Sequence, residues 1–308
     1  MTTDLTTGVI NTTGGKRTLS ANLLKTLIAY GFLLPALVGL LVFRIYPILL
    51  TYIGSFYNIN YRQGGGAVFV GLQNYQETFT DPIFWQSLKI TIIFNLLINP
   101  IQISLSLLVA MLVHKNTRLN RIFRTAYLLP LGIAIGVSSA MWRILLNPND
   151  GLVNSVLRLF GIGRQPFLTS VDQAFWCIIL VASWTGISYW MLLLLAGLQD
   201  IPGELYEAAK IDGANAWQVF WRITLPLLKR VLLFVTVADT SANFLLFAPI
   251  YILTRGGPQF STNTLMYETY TSAFIYSDMH RALTLSAILL ILLLGFILLE
   301  MKMFGRDD

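Results

Sequence analysis

Charge is scarce in this chain. Of its 308 residues, 12% are Asp, Glu, Lys or Arg while 55% are hydrophobic, and mean hydropathy is +0.66. Soluble domains carry roughly 25% charged residues, so an ordinary water-facing surface is excluded and lipid is the expected solvent. Cysteine is nearly absent. Cys177 stands alone, which rules out an internal disulfide, a paired-cysteine metal site and a dithiol redox pair. Inside an apolar run it is expected to be a small buried hydrophobe. Histidine is equally rare: His114 and His280 are the two, and the topology below puts them at opposite membrane faces. No Gly-x-Ser-x-Gly or His-Glu-x-x-His occurs. Gly14-Gly15-Lys16-Arg17 lacks both the earlier Gly and the following Ser or Thr of a phosphate-binding loop. No catalytic residue, metal or cofactor is therefore expected, and no ATP hydrolysis by this chain.

Long apolar runs are what the sequence has instead. Six are long enough to span a bilayer, which needs ~20 mainly apolar residues: about 25–50, 88–113, 125–146, 172–197, 230–253 and 282–303. The first carries Arg44 and Pro47 near its far end, where a break or bend is expected. Residues 1–24 precede it as a mobile cytoplasmic tail, rich in Thr, Gly and Asn and without the apolar core of a signal peptide. Basic residues set the orientation. With both termini in the cytoplasm, Lys16, Arg17 and Lys25, then Lys115, Arg118, Arg121 and Arg124, then Lys210, Arg222, Lys229 and Arg230, then Lys302 and Arg306 all fall inside, while the other cations are spread thinly over longer segments and helix ends. Lys115 to Arg124 is basic enough to meet anionic headgroups.

Polar residues inside these runs are the candidate solute contacts. Asn95, Asn99 and Gln102 share one face of the second span. The fourth holds Trp184, Ser188 and Tyr189, whose rings suit stacking on sugars or packing at an interface. The fifth holds Thr236, Asp239, Thr240, Ser241 and Asn243, with Asp239 and Asn243 on one face. An ionisable group this deep in lipid marks function or a structural hydrogen bond. Both remain open here.

Between the fourth and fifth spans, residues 198–229 are the most charged and helix-friendly stretch. Asp200 and Pro202 suit a helix start, Glu204 to Lys210 are good helix formers, and Gly213 can take positive φ to end the helix. A second run with Trp217, Phe220 and Trp221 follows, until Leu225-Pro226 stops it. A cytoplasmic helix-turn-helix results.

Glu207-Ala208-Ala209-Lys210-Ile211-Asp212-Gly213, followed by Ile223-Thr224-Leu225-Pro226, resembles the EAA loop of permease subunits of bacterial ABC importers, in its carbohydrate-uptake branch. Val70-Gly71-Leu72 with Asn74-Tyr75, Arg124 to Pro130, and Leu253-Thr254-Arg255-Gly256-Gly257-Pro258 are similar to the same family. Two positions depart from its pattern: Ala248 stands where an acidic residue often follows the Phe at 247, and Arg230 where a Pro often follows the Lys at 229.

The resemblance implies an all-α membrane fold of six transmembrane helices with a cytoplasmic coupling loop, in the bacterial inner membrane. It implies as partners a second permease, two ATP-binding subunits and an extracytoplasmic solute-binding protein, with a sugar or polyol-like substrate moved by alternating access. Glu207, Ala208, Ala209, Asp212 and Gly213 are then the coupling residues, and Asp239, Asn243, Trp184, Tyr189 and Asn99 the candidate substrate path. Two other classes fit the composition. A polytopic enzyme acting on a lipid-linked glycan would use Asp239 as its acid or base and turn over alone. A membrane receptor would signal without net uptake.

Overall fold

The computed structural model describes residues 14–59, 66–115 and 117–304, with side chains from residue 25 onward. It divides into two units, Met1–Ile53 and Gly54–Asp308. In the first, α1 (Gly14–Leu40) passes through a π-helical turn (Leu41–Ile45) into α2 (Tyr46–Gly54). The wide turn falls just before Pro47, where the missing N–H would otherwise interrupt the ladder. Of the break or bend expected here, the break does not occur: helix continues through the π turn. It also begins at Gly14, inside the stretch read as a tail; residues 1–13 lie outside the described ones.

The second unit opens with a short antiparallel pair, β1 (Tyr57–Asn58) and β2 (Val68–Phe69), with Tyr57 opposite Phe69. Residues 60–65 between the two strands lie outside the described ones. Next come α3 (Gln73–Thr80) and α4 (Pro82–Val113). Asp81 caps α4 by accepting from the Ile83 amide at 2.8 Å, with Pro82 in the first turn. Arg124 closes the other end, donating to the carbonyls of Val113 and His114 at 2.8 and 2.7 Å.

The third apolar run does not make one straight span. It folds as α5 (Arg118–Leu128), a 3₁₀ turn (Leu129–Gly132) and α6 (Ile135–Leu145), bent by 98°. Pro130 supplies no amide to the helical ladder, Gly132 weakens the next turn, and Ile133 is extended. After α7 (Leu152–Leu159) comes α8 (Val171–Gln199), the fourth span. Then follow α9 (Gly203–Ile211), α10 (Ala216–Val219), a second π turn (Phe220–Thr224) and α11 (Leu225–Leu227). The π turn again precedes a proline, so Pro226 does not stop the helix as expected; it is carried to Leu227. The fifth span is divided into α12 (Lys229–Phe244) and α13 (Ala248–Leu253), because Pro249 cannot donate back to residue 245. α14 (Leu265–Tyr270), a third π turn (Thr271–Ile275) and α15 (Met279–Phe304) complete the unit. By length and composition, the described residues hold five membrane-length helices, or six if the bent pair counts as one span.

Lipid is as apolar as leucine, so burial of apolar area drives insertion, whereas packing and hydrogen bonds decide which helices meet. α4 packs most extensively on α8, and α12 lies against α4, α8 and α15. Leu107, Met191, Leu194, Leu228 and Val235 fill one part of the core; Phe94, Ile98, Ile178, Val181 and Ile250 fill another. α4 and α8 can approach closely because residue 186 is Gly. A Cβ there would stand 2.7 Å from Gln102 Nε2.

Candidate functional site

The polar residues of the apolar helices converge on α12. Asn243 donates to Asn99 Oδ1 at 2.8 Å, to Gln102 Oε1 at 3.1 Å and to Asp239 Oδ1 at 3.0 Å. Trp190, on α8, donates its indole N–H to the same Asp239 oxygen at 2.6 Å. Asn99 donates to Thr240 Oγ1 at 2.7 Å, and Thr240 in turn donates to Glu300 Oε1, on α15, at 2.6 Å. Four helices are thereby tied through side chains, since each helix satisfies its own backbone. Asp239 is 1% exposed, and its second oxygen, Oδ2, has no partner.

Beside this network lies a cavity of about 630 Å³. Asp239, Asn243, Gln102, Trp190 and Tyr189 contribute to its wall, as does the non-helical backbone of residues 245–247 between α12 and α13. Irregular backbone within a membrane span is tolerated where it borders a cavity or protein. The break at Pro249 and the cavity are two aspects of one arrangement.

The residues expected to form a path are only partly brought together. Asp239, Asn243 and Tyr189 border the cavity; Asn99 stands one hydrogen bond behind it. Trp184 does not border it. Its ring packs edge-on against Trp142, with centroids 5.8 Å apart, beside a separate groove of about 550 Å³. A step of five residues along α8 separates Trp184 from Tyr189 by about 140°, so the two face different neighbours. Asn95 also stays apart and donates to the Thr91 carbonyl on its own helix. Sequence reasoning passed over Glu300 and the pairing of Trp190 with Asp239. A carboxylate within the sixth apolar run was the available signal for the first; the second depends on how α8 and α12 are rotated.

The second constellation lies between α8 and α12. α9 is C-capped by Asp212, Gly213 has φ +74°, and the Ala214 amide donates to the Ala209 carbonyl at 2.9 Å. That 6→1 bond is a Schellman closure, which favours glycine. Asn215 then starts α10 in a capping box with Gln218, each side chain accepting from the other's backbone amide at 2.9 Å. The expected start of α9 shifts: Pro202 is the N-cap and Asp200 belongs to the end of α8. Ala209 is buried while Glu207, Ala208, Asp212 and Gly213 are exposed. Trp217 and Trp221, in contact at 5.5 Å, remain 69% and 49% exposed. Beneath α9 a groove of about 900 Å³ is lined in part by Glu207, Lys210, Tyr206 and His114. Burial, then the cations Arg124 and Lys115, hold the His114 pKa below its ordinary value.

Residues 102–301 match the family described as binding-protein-dependent transport system inner membrane component. The chain belongs to that family. Both constellations fall almost wholly within the matched residues, Asn99 lying just outside. The permease is 36% identical over 228 residues to the sn-glycerol-3-phosphate transport system permease protein UgpA of Agrobacterium fabrum, covering 74% of this chain and 78% of that one. It is 37% identical over 249 residues to the lactose transport system permease protein LacF of Rhizobium radiobacter, covering 79% and 82%. Among solved structures it resembles a bacterial ABC transporter involved in the import of the acidic polysaccharide alginate, with a TM-score of 0.81 at 21% identity over 94% of this chain and 99% of that one. The fold is that of an ABC importer permease, a multi-pass membrane protein. The family match favours transport over an enzyme acting on a lipid-linked glycan.

Proposed function

We propose that this permease forms, with a second related permease, the translocation path for a sugar or polyol-like solute delivered by an extracytoplasmic binding protein. Two ATP-hydrolysing subunits drive it from the cytoplasm, where both termini and the loop of Glu207 to Gly213 lie. The observation that carries the reading is the cavity at the break in the fifth span, with buried Asp239 and Asn243 on its wall. The names of UgpA and LacF, for small polyhydroxylated solutes, support the substrate class.

In this reading Asp239, Asn243 and Tyr189 contact the solute, and Asn99 holds Asn243 in place. Trp184 borders the neighbouring groove and packs with Trp142 rather than meeting the solute. Ala209 keeps the buried face of α9 narrow enough to seat against the body, while exposed Ala208 leaves room for a partner to which Glu207 and Asp212 offer carboxylates. Closure of the ATP-hydrolysing pair moves this helix-turn-helix as a rigid lever and tilts the spans between inward- and outward-facing states. Nucleotide and solute shift that balance only through their different affinities for the two states.

The test is uptake of a panel of labelled sugars and polyols by cells with and without this chain. Loss of ATP-dependent uptake of one solute, restored by the chain, is expected. Unchanged uptake of the entire panel would overturn the assignment.

A further inference from the structure

The cavity is unevenly equipped with charge. Among the described residues its wall carries one carboxylate, Asp239, and no Lys, Arg or His. The hydrogen-bonded network behind it adds a second carboxylate, Glu300, and again no cation. The donors on the wall are neutral. The Trp190 indole N–H is spent on Asp239, and the Asn243 amide on Asn99, Gln102 and Asp239. What remains open is the neutral hydroxyl of Thr185 and one charged acceptor, the Oδ2 of Asp239, on a side chain 1% exposed.

Resting on the permease reading, we propose that Asp239 selects the solute by charge: the cavity takes neutral or amino-bearing polyols and rejects anionic ones such as sugar acids and phosphate esters. A hydroxyl or ammonium group on the solute supplies the hydrogen that Oδ2 lacks, so entry satisfies a buried polar atom. A carboxylate or phosphate would instead meet an acceptor across a few ångströms of poorly screened space, where like charges repel strongly. It would find no cation on this wall to offset its lost hydration. This separates the chain from importers of glycerol phosphate or of an acidic polysaccharide, with which it shares sequence or fold.

A binding protein filters solutes before they arrive, so the cavity is tested without it. The probes are labelled glucose, glucosamine, glucuronate and glycerol 3-phosphate, bound at equilibrium to the purified permease pair with its ATP-binding subunits in nanodiscs. Glucose and glucosamine should bind about tenfold or more tighter than the two anions, and Asp239→Asn should remove most of that gap by deleting the charge. Ala242→Lys, at an exposed position on the cavity wall, should raise anion binding and decides the matter if Asp239→Asn fails to assemble. Anions binding as tightly as glucose, or a gap untouched by whichever variant assembles, would overturn the proposal. Binding of none of the four would overturn it too. Solute uptake in cells is read separately, so normal uptake beside any of these results leaves the permease reading standing.

Discussion

Trp190 and Asp239 are joined across α8 and α12 by an indole N–H donated to one carboxylate oxygen over 2.6 Å. Asn243 donates to that same oxygen, so the carboxylate is held from two sides with its other oxygen left open. Trp190→Phe keeps the ring and deletes the donor. Weakening a buried, charged acceptor costs about 1–3 kcal/mol. The purified complex should therefore unfold at lower temperature, and solute affinity should fall along with it. Loss of stability with unchanged affinity would make the bond purely structural.

Gly186 sets the distance between α8 and Gln102. In Gly186→Ala the new methyl would meet the Gln102 amide at under 3 Å. Since a glutamine side chain can swing, the expected result is local: Gln102 leaves Asn243, at the ~1–3 kcal/mol typical of overpacking. Uptake should drop while membrane insertion stays normal, and Gly186→Ala with Gln102→Ala should recover part of it. No recovery would place the defect elsewhere.

Arg281 bridges two acids from different elements, Asp81 at 2.5 Å and Glu268 at 2.8 Å, which ties α14 and the start of α4 to α15. Glu268 is 3% exposed and also accepts from Asn263. Removing the cation strands a buried carboxylate, a loss of about 3–5 kcal/mol for a buried pair; the Asn263 bond puts this case at the low end. Arg281→Ala should lower the thermal midpoint markedly and Arg281→Lys should restore part of the loss. A midpoint equal to wild type in Arg281→Ala would show that the bridge contributes nothing.

The spans were legible because twenty apolar residues in a row have few other uses, and the Glu207 loop because its capping chemistry is local. Gly213 was read from its place at the end of a helix-forming run, whereas the capping box of Asn215 with Gln218 was passed over although both residues are local. The break at Pro249 and the bend at Pro130 were visible as prolines, but whether a proline stops a helix depends on its surroundings. Pro47 and Pro226 are absorbed by π turns that no residue announces. What the sequence hid was rotation. Trp184 and Tyr189 read as one aromatic group, yet only the packing of α8 decides that Tyr189 borders the cavity and Trp184 meets Trp142.

His114 lines the groove beneath α9 with its pKa held below the ordinary value near 6.5 by burial first, then by Arg124 and Lys115. The folded state thus binds this proton less readily than the unfolded one. Its contribution to stability is present above the unfolded pKa and lost as pH falls through the lower, folded one. Acidification from neutral pH should lower the thermal midpoint less in His114→Gln than in wild type. Identical acid sensitivity would remove His114 from the account.

The basic loops predict an orientation with residue 210 in the cytoplasm. In intact cells an impermeant thiol reagent should label Phe260→Cys and leave Lys210→Cys unmodified, with the buried Cys177 giving little background. Labelling at 210 from outside would invert the topology.

Gly213 carries the central claim, that the loop after the fourth span transmits ATP-driven motion. Its φ of +74° suits glycine, and a Cβ there would touch nothing, so substitution acts through the backbone alone. Gly213→Val should cost about 1–2 kcal/mol of left-handed strain, enough to tilt α10 against α9 without unfolding the spans. The most direct measurement is solute uptake alongside ATP hydrolysis by the reconstituted Gly213→Val transporter. The account predicts normal insertion, abolished uptake, and ATP hydrolysis that is either lost or indifferent to loaded binding protein. Wild-type uptake with hydrolysis still stimulated by loaded binding protein would contradict it.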